Sequence, residues 1–460
     1  MRMTPKHILL FLWCTIAALA GLCCVYPSTG ITIGETTLRW TTLRKVLELP
    51  SPDDVADAET AIDSVAEVPS PATALPDTIS LPAEAIPADK PLLPFFTALE
   101  QTSSVPVRVV HYGDSQIEED RISMVLRQHL QTLYGGGGVG IVPVHQTIPS
   151  QNLHQQLYID GKLQTNQQGP KRHLVYGSKS FRLHESNLYG PMGQVAIMND
   201  SLVKGSEHLT LHLEAEGTAQ PCHTFSRVRL WADSTISMAK DGDSVRHQQV
   251  LHFPDSTTSC TIRISGRGNV YGLSLETPKG VMVDNIPMRG CLGTVFTEMN
   301  ASQLTYYFRT THTALIIMQF GGNAIPFNTQ ESTIRGIVSL LRKQVQFMRS
   351  CAPGVSILFI GPSDMLKNED GELKTHPLVP YMDRLLQRMA ADEGIAYWSL
   401  YSAMGDNGSM IRWQEKGLAG QDGVHFTRRG AEKAGEMLWQ WLMRQKDEYT
   451  ASPAPNDSIN

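Results

Sequence analysis

Val105-Pro-Val-Arg-Val-Val110-His111-Tyr-Gly113-Asp114-Ser115-Gln116 is the stretch from which the fold can be read. Residues 105–110 are mostly β-branched and bounded by turn formers, the pattern of a strand. Beyond them Ile117, Met124, Leu130 and Leu133 recur near the helical period, so a helix is expected over 117–134. Gly135 to Gly138 supplies the backbone freedom that stops it. A strand running straight into a helix sets the residues between them at the carboxyl end of the strand. Open α/β sheets take up ligands at that edge. A helix N-terminus there also favours a developing oxyanion. Taken alone, Ser115 reads more readily as only the N-cap of the helix.

The same alternation resumes after Pro278. ALIIMQF (314–320), VSILFIGP (355–362) and IAYWSL (395–400) read as strands, with helices expected over 329–351, 380–393 and 427–445. Strands alternating with helices imply a parallel sheet covered on both faces, a three-layer α/β/α fold. The intervening stretch is different. LTLHLEA (209–215), RVRLWA (227–232), CTIRIS (260–265) and VYGLSLE (270–276) alternate apolar and polar residues between turn formers. They predict an inserted β-sandwich over 146–278. The α/β domain is then discontinuous, 91–145 and 279–447, and 448–460 is expected to be a flexible tail.

Composition narrows the function classes. The 460 residues carry 39 Lys and Arg against 45 Asp and Glu, a net charge of −6. That argues against a general nucleic-acid binder. With 41% hydrophobic residues the chain can bury a large core. Ile8 to Tyr26 is an almost unbroken apolar run, with Arg2 and Lys6 before it and no Lys or Arg after it until Arg39. That pattern directs the rest of the chain out of the cytoplasm. Residues 1–26 are read as a membrane anchor, with a cleaved signal peptide ending at Ala18-Leu-Ala20 and a lipoprotein cysteine at 23 or 24 as rivals. Residues 27–48 form a short arm. Residues 49–90, rich in Pro, Ala and acidic residues, form a solvated linker. The exported part keeps Cys222, Cys260, Cys291 and Cys351; the first two could pair, or all four could be buried thiols. No metal-ligand spacing occurs, and no cofactor is implied.

Gln421-Asp422-Gly-Val-His425-Phe-Thr427 precedes the last expected helix. A serine hydroxyl needs a base to become a nucleophile, and histidine needs a carboxylate to fix its tautomer. Asp422, three residues before His425, supplies one within a single turn; the plain alternative is a polar turn before a Thr427 cap. His111, Asp364 and the acidic run Glu118, Glu119, Asp120 are nearby candidates. The run is read as first-turn acids that complement the helix dipole.

Together these stretches resemble the SGNH, or GDSL-type, hydrolases. Gly113-Asp114-Ser115 matches the first block of that family, Gly321-Gly-Asn323 the third and Asp422-x-x-His425 the fifth, in order. Gly290, in Pro287-Met-Arg-Gly290, stands for the second-block glycine. The resemblance implies that Ser115 is the nucleophile, His425 the general base and Asp422 its orienting acid. It also implies an oxyanion hole from the backbone N–H groups of Ser115 and Gly290 and the side-chain amide of Asn323. Gln116 replaces the leucine of the lipase-like signature, and Ala324 stands where many members have an acid. Among these hydrolases the chain looks most like exported peptidoglycan and polysaccharide O-acetylesterases, some of which carry an insert at this place. Its partner would then be an acylated cell-envelope glycan, and its location extracytoplasmic. Tyr158, Tyr176, Phe181, Tyr189, Phe225, Trp231 and Tyr271 of the insert could stack on sugars or fill its core. An O-acyltransferase with the same triad and a non-catalytic glycan-binding protein are the alternative functions.

Overall fold

The computed structural model describes residues 31–33, 36–38 and 89–451, apart from 145, 147–148, 160–161, 165–181, 187–194, 200–207, 216–221, 244–247, 267 and 327. The apolar run 8–26, most of the linker, Tyr176, Phe181, Tyr189 and residues 452–460 lie outside the described residues. The chain divides into two units, 1–73 and 74–460. In the first, Ile31–Ile33 and Thr36–Leu38 pair antiparallel, with Ile31 opposite Leu38.

In the second unit, the described residues form a parallel sheet of β1 (Val107–Gly113), β2 (Val281–Pro287), β3 (Thr313–Gln319), β4 (Ser356–Ile360) and β5 (Ala396–Trp398). Its order is β2-β1-β3-β4-β5. Every residue of β1, β3 and β4 is buried, because helices cover both faces. The period of two sorts the side chains. Val110 and Tyr112, with Ile316, Met318, Ile357 and Phe359, join one core with α3 (Ala301–Thr310), α4 (Glu331–Cys351) and α5 (Leu378–Asp392). Val107 and Val109, with Leu315, Ile317, Leu358 and Ile360, join the other. That side holds α1 (Leu93–Leu99), α2 (Ser123–Tyr134), α6 (Leu400–Met404), α7 (Ser409–Glu415) and α8 (Arg428–Ala451). The fold is the three-layer α/β/α arrangement with a β-sandwich inserted between α2 and β2.

The sandwich's sheets are antiparallel. One runs Val250–Thr257, Phe225–Ala232, Gly268–Glu276, Val195–Asn199, Arg182–Ser186, with Gly140–Val142 added on Gly268–Glu276. The other runs Ser237–Lys240, Ser259–Ser265, His208–Ala215, Leu153–Ile159, Lys162–Gln164. Leu211, Leu213, Val228, Leu230, Ile262, Ile264, Leu273 and Leu275 meet between them, as strict alternation requires. The strand Gly140–Val142 lies before position 146. It is reached through the glycines after α2, where a Cβ on Gly138 would come within 2.1 Å of the Leu275 carbonyl oxygen.

A sealed polar junction joins sandwich to sheet. Arg108 of β1, 1% exposed, pairs with Asp284 of β2 and with Glu276 of the sandwich. Tyr307 of α3 donates its hydroxyl to Asp284. Arg227 and Arg229 complete the shell around Glu276 at 2.7 and 3.0 Å. Trp231 stands edge-on against Tyr307, ring centres 5.4 Å apart. Tyr271 bonds Asp233 and Gln303. Phe225 and Trp231 are therefore core residues, while Tyr158 is half-buried on the outer sheet. Cys222, Cys260, Cys291 and Cys351 are buried thiols rather than disulfide partners.

Some boundaries differ from expectation. The helix expected from Ile117 starts at Ser123. Ser115–Asp120 is a 3-10 turn broken by an extended Glu118 (φ −54°, ψ 159°) and by positive φ at Glu119 (60°) and Asp120 (64°). Glu118 stands in the first turn of that 3-10 segment, and none of the three acids lies in the first turn of α2. Each is drawn to its own partner: Glu118 to Arg289, Glu119 to Gln151, Asp120 to Arg127 and Asn152. The last helix runs to Ala451, through residues expected in the tail. Lys446 binds Glu100 and Tyr134, and Tyr449 packs edge-on to Phe96, which ties these turns to α1 and α2.

Candidate active site

β1 ends at Gly113, and the chain turns at once. Asp114 is extended and buried, and its carboxylate accepts the Gln116 N–H at 2.9 Å. This Asx turn aims Ser115 at the loop before α8. The half-buried Ser115 Oγ lies 2.9 Å from His425 Nε2. His425 Nδ1 lies 2.7 Å from Asp422 Oδ2.

The Asp-x-x-His spacing is itself a turn. Asp422 Oδ1 accepts the N–H groups of Val424 and His425, both at 3.0 Å, and Gly423 between them has φ +68°. The acid is thus fixed by the segment that carries the histidine. Burial raises the Asp422 carboxyl, but the Val424 amide and the His425 ring and amide outweigh it and hold it below the ordinary carboxylate value. An ionised Asp422 makes Nδ1 the protonated nitrogen. Nε2 is then left to accept from the Ser115 hydroxyl. His425 and Asp422 remain 44% and 51% exposed, so the pair opens to solvent.

The third block also sits at this edge. β3 ends at Gln319, and Phe320 and Gly321 (φ 116°) lead into a short 3-10 turn that carries Asn323. Asn323 Nδ2 donates to the Cys291 carbonyl at 3.1 Å, which ties it to the segment after β2. Gly290 lies in that segment, in an exposed turn closed by the Cys291 N–H on the Met288 carbonyl. A Cβ on Gly322 would lie 3.7 Å from Asp114 Oδ2, so the ends of β1 and β3 abut.

Asp114, part of the Gly113-Asp114-Ser115 match but given no role by it, is buried beside Ser115. Burial pushes its carboxyl up to about 6, against the Gln116 N–H and the His425 charge, which lower it. Two other candidates fall elsewhere. Burial pushes His111 down to about 4; its ring sits between Gln319 and Ser123 beneath the sheet edge. Asp364 is fully buried and accepts from Met365, Thr375, Ser409 and Met410, so it closes loops instead of lining a pocket.

No family model matches the sequence, and neither does any curated protein. Solved structures do match in three dimensions. A structure described as "Peptidoglycan O-acetylesterase in action" superposes with a TM-score of 0.59 at 21% identity, over 79% of this chain and 98% of that one. A protein from Bacillus subtilis matches at 12% identity, over 64% of this chain and 99% of its own, with a TM-score of 0.31. Est24, a carbohydrate acetylesterase from Sinorhizobium meliloti, matches at 13% identity, over 36% and 79%, with a TM-score of 0.26. By fold, the chain is similar to that peptidoglycan O-acetylesterase.

Proposed function

We propose that this chain is an exported serine esterase that removes O-acetyl or similar short acyl groups from a cell-envelope polysaccharide, peptidoglycan first among them. The observation that carries the reading is the continuous line Ser115 Oγ, His425 Nε2, His425 Nδ1, Asp422 Oδ2, with links of 2.9 and 2.7 Å. Ser115 attacks the ester carbonyl while His425 takes its proton. Asp422 stabilises the resulting imidazolium. His425 then protonates the sugar oxygen as it leaves, and an acetyl-Ser115 ester remains. Water, deprotonated by His425, releases acetate and restores the serine. The backbone N–H groups of Ser115 and Gly290 and the free hydrogen of the Asn323 amide bind the oxyanion; one such donor is worth about 3–4 kcal/mol.

An open His–Asp pair suits a substrate that is one unit of a polymer, since the glycan on either side of the reacting ester must pass freely. The fold-level likeness to a peptidoglycan O-acetylesterase supports the same substrate class. The apolar run 8–26, behind Arg2 and Lys6, supports export and tethering to the inner membrane, with residues 49–90 giving the domain reach.

The test is acetate release from O-acetylated peptidoglycan by the full chain, beside Ser115→Ala. Release by the parent alone is expected. Equal release by both would remove Ser115 from the mechanism. Acetate appearing on an added glycan instead of in solution would make the chain a transferase.

A further inference from the structure

We propose that Gln116 and Arg121 are positioning residues that hold His425 on Ser115 by gripping the backbone carbonyl on each side of the histidine. Gln116 Nε2 donates to the Val424 carbonyl at 2.7 Å and reaches Ser363 Oγ at 3.3 Å. Arg121 Nη1 donates to the Phe426 carbonyl at 3.0 Å, Nη2 to the Ser115 carbonyl at 3.2 Å, and Nε to the Glu118 carbonyl at 3.0 Å. The turn that carries the serine therefore reaches across to residues 424 and 426 with two side chains. His425 sits between the two grips, and its own carbonyl is held by the Gly420 N–H at 2.8 Å.

Two observations favour a positioning role over simple filling. First, the His425 side chain is 44% exposed. Packing cannot fix a ring that faces solvent on one side, so its place follows its backbone. Second, Gln116 is 7% exposed, and its Oε1 has no hydrogen-bond partner among the described residues. A buried acceptor left unpaired is costly. An apolar side chain of similar volume would avoid that cost, so what glutamine adds here is the pair of bonds its amide donates. Arg121 cannot be replaced by lysine at equal effect, because only a planar fork reaches three carbonyls at once.

This inference rests on the triad reading above, so its test needs a readout that survives the failure of that reading. The variants are Gln116→Leu, Gln116→Glu and Arg121→Lys in the full chain. With p-nitrophenyl acetate, we expect kcat to fall 10- to 100-fold in each, with KM within twofold and Tm nearly unchanged. Labelling of Ser115 by a fluorophosphonate should slow in the same ratio. Gln116→Glu keeps the size but presents only oxygens to the Val424 carbonyl, so it should fare no better than Gln116→Leu. In crystals of Gln116→Leu, the Ser115 Oγ to His425 Nε2 distance should lengthen beyond hydrogen-bond reach, while His425 to Asp422 stays intact. An unchanged kcat in an active parent background, or an unchanged distance, overturns the proposal. A parent that neither hydrolyses esters nor takes the probe would sink the esterase reading, and the distance would still decide the grip. Should Gln116→Leu fail to fold, Arg121→Lys carries both readouts.

Discussion

The two ends of β1 hold constellations of similar chemistry in opposite settings. At the start of the strand, Arg108 is sealed among Asp284, Glu276 and Tyr307, with exposures of 0 to 1%. Just past its end, Ser115, His425 and Asp422 are linked just as tightly, yet the histidine and acid are about half exposed. Burial would strip Arg108 of its charge, but Asp284, Tyr307 and Glu276 more than restore it. The same shell holds Glu276 below its ordinary value despite burial. Charges held away from their ordinary ionisation therefore also lie in a junction buried from solvent. Perturbed ionisation alone marks a functional site poorly here; access to the sheet's carboxyl edge separates the two.

The comparison can be broken at either end. Ser115→Ala should have the largest effect: kcat on acetyl esters falls about 10⁶-fold, while the melting temperature is unchanged. If stability falls as well, the open end is structural too. Asp422→Asn should cost about 10⁴-fold in kcat through the wrong histidine tautomer. Its urea midpoint should barely move, because half-exposed pairs contribute little to stability. At the sealed end the signs reverse. Arg108→Met leaves the buried Asp284 without its cation, while Glu276 keeps Arg227 and Arg229, and should cost about 3–5 kcal/mol in urea unfolding. The folded fraction should keep its parent kcat.

Asp114 lies between the two extremes and sharpens the contrast. Its folded value, about 6, lies above the ordinary 3.8. The native chain therefore keeps a proton that the unfolded chain has released. That contribution is complete below pH 4 and is lost as pH rises through 6. The total is about 3 kcal/mol at 1.36 kcal/mol per pH unit. Asp114→Asn keeps the oxygen that accepts the Gln116 N–H but carries no titrating proton. It should be more stable than the parent at pH 7 by up to that amount and equal to it below pH 4, as read from urea midpoints across pH.

What could be read from the sequence was local. β1 announces itself by β-branched residues, and Asp422 and His425 by a spacing that closes its own turn. The edge strand next to β1 was not legible. β2 reads Val-Met-Val-Asp-Asn-Ile-Pro, and its buried Asp284 makes sense only beside Arg108 and Tyr307, far away in sequence. The acids after Ser115 were misread for the same reason. As a run they suggest a helix start, but their partners Arg289, Gln151 and Asn152 lie elsewhere along the chain. Gln116 looked like a departure from a motif, and only the folded loop shows what its amide touches.

The inserted sandwich also sets the order in which this molecule can be assembled. β1 needs β2 on one side and β3 on the other, with Val107 beside Val281 and Val109 beside Leu315. Both partners are synthesised long after β1, and closing so long a loop is slow. The sandwich brings the two ends of that loop together. Gly140 lies beside Leu275 within its own sheet, so once the sandwich has folded, the stretches leading back to β1 and on to β2 leave from the same point. A change that slows closure of the insert should then lower the yield of folded chain while leaving the structure of each folded molecule intact.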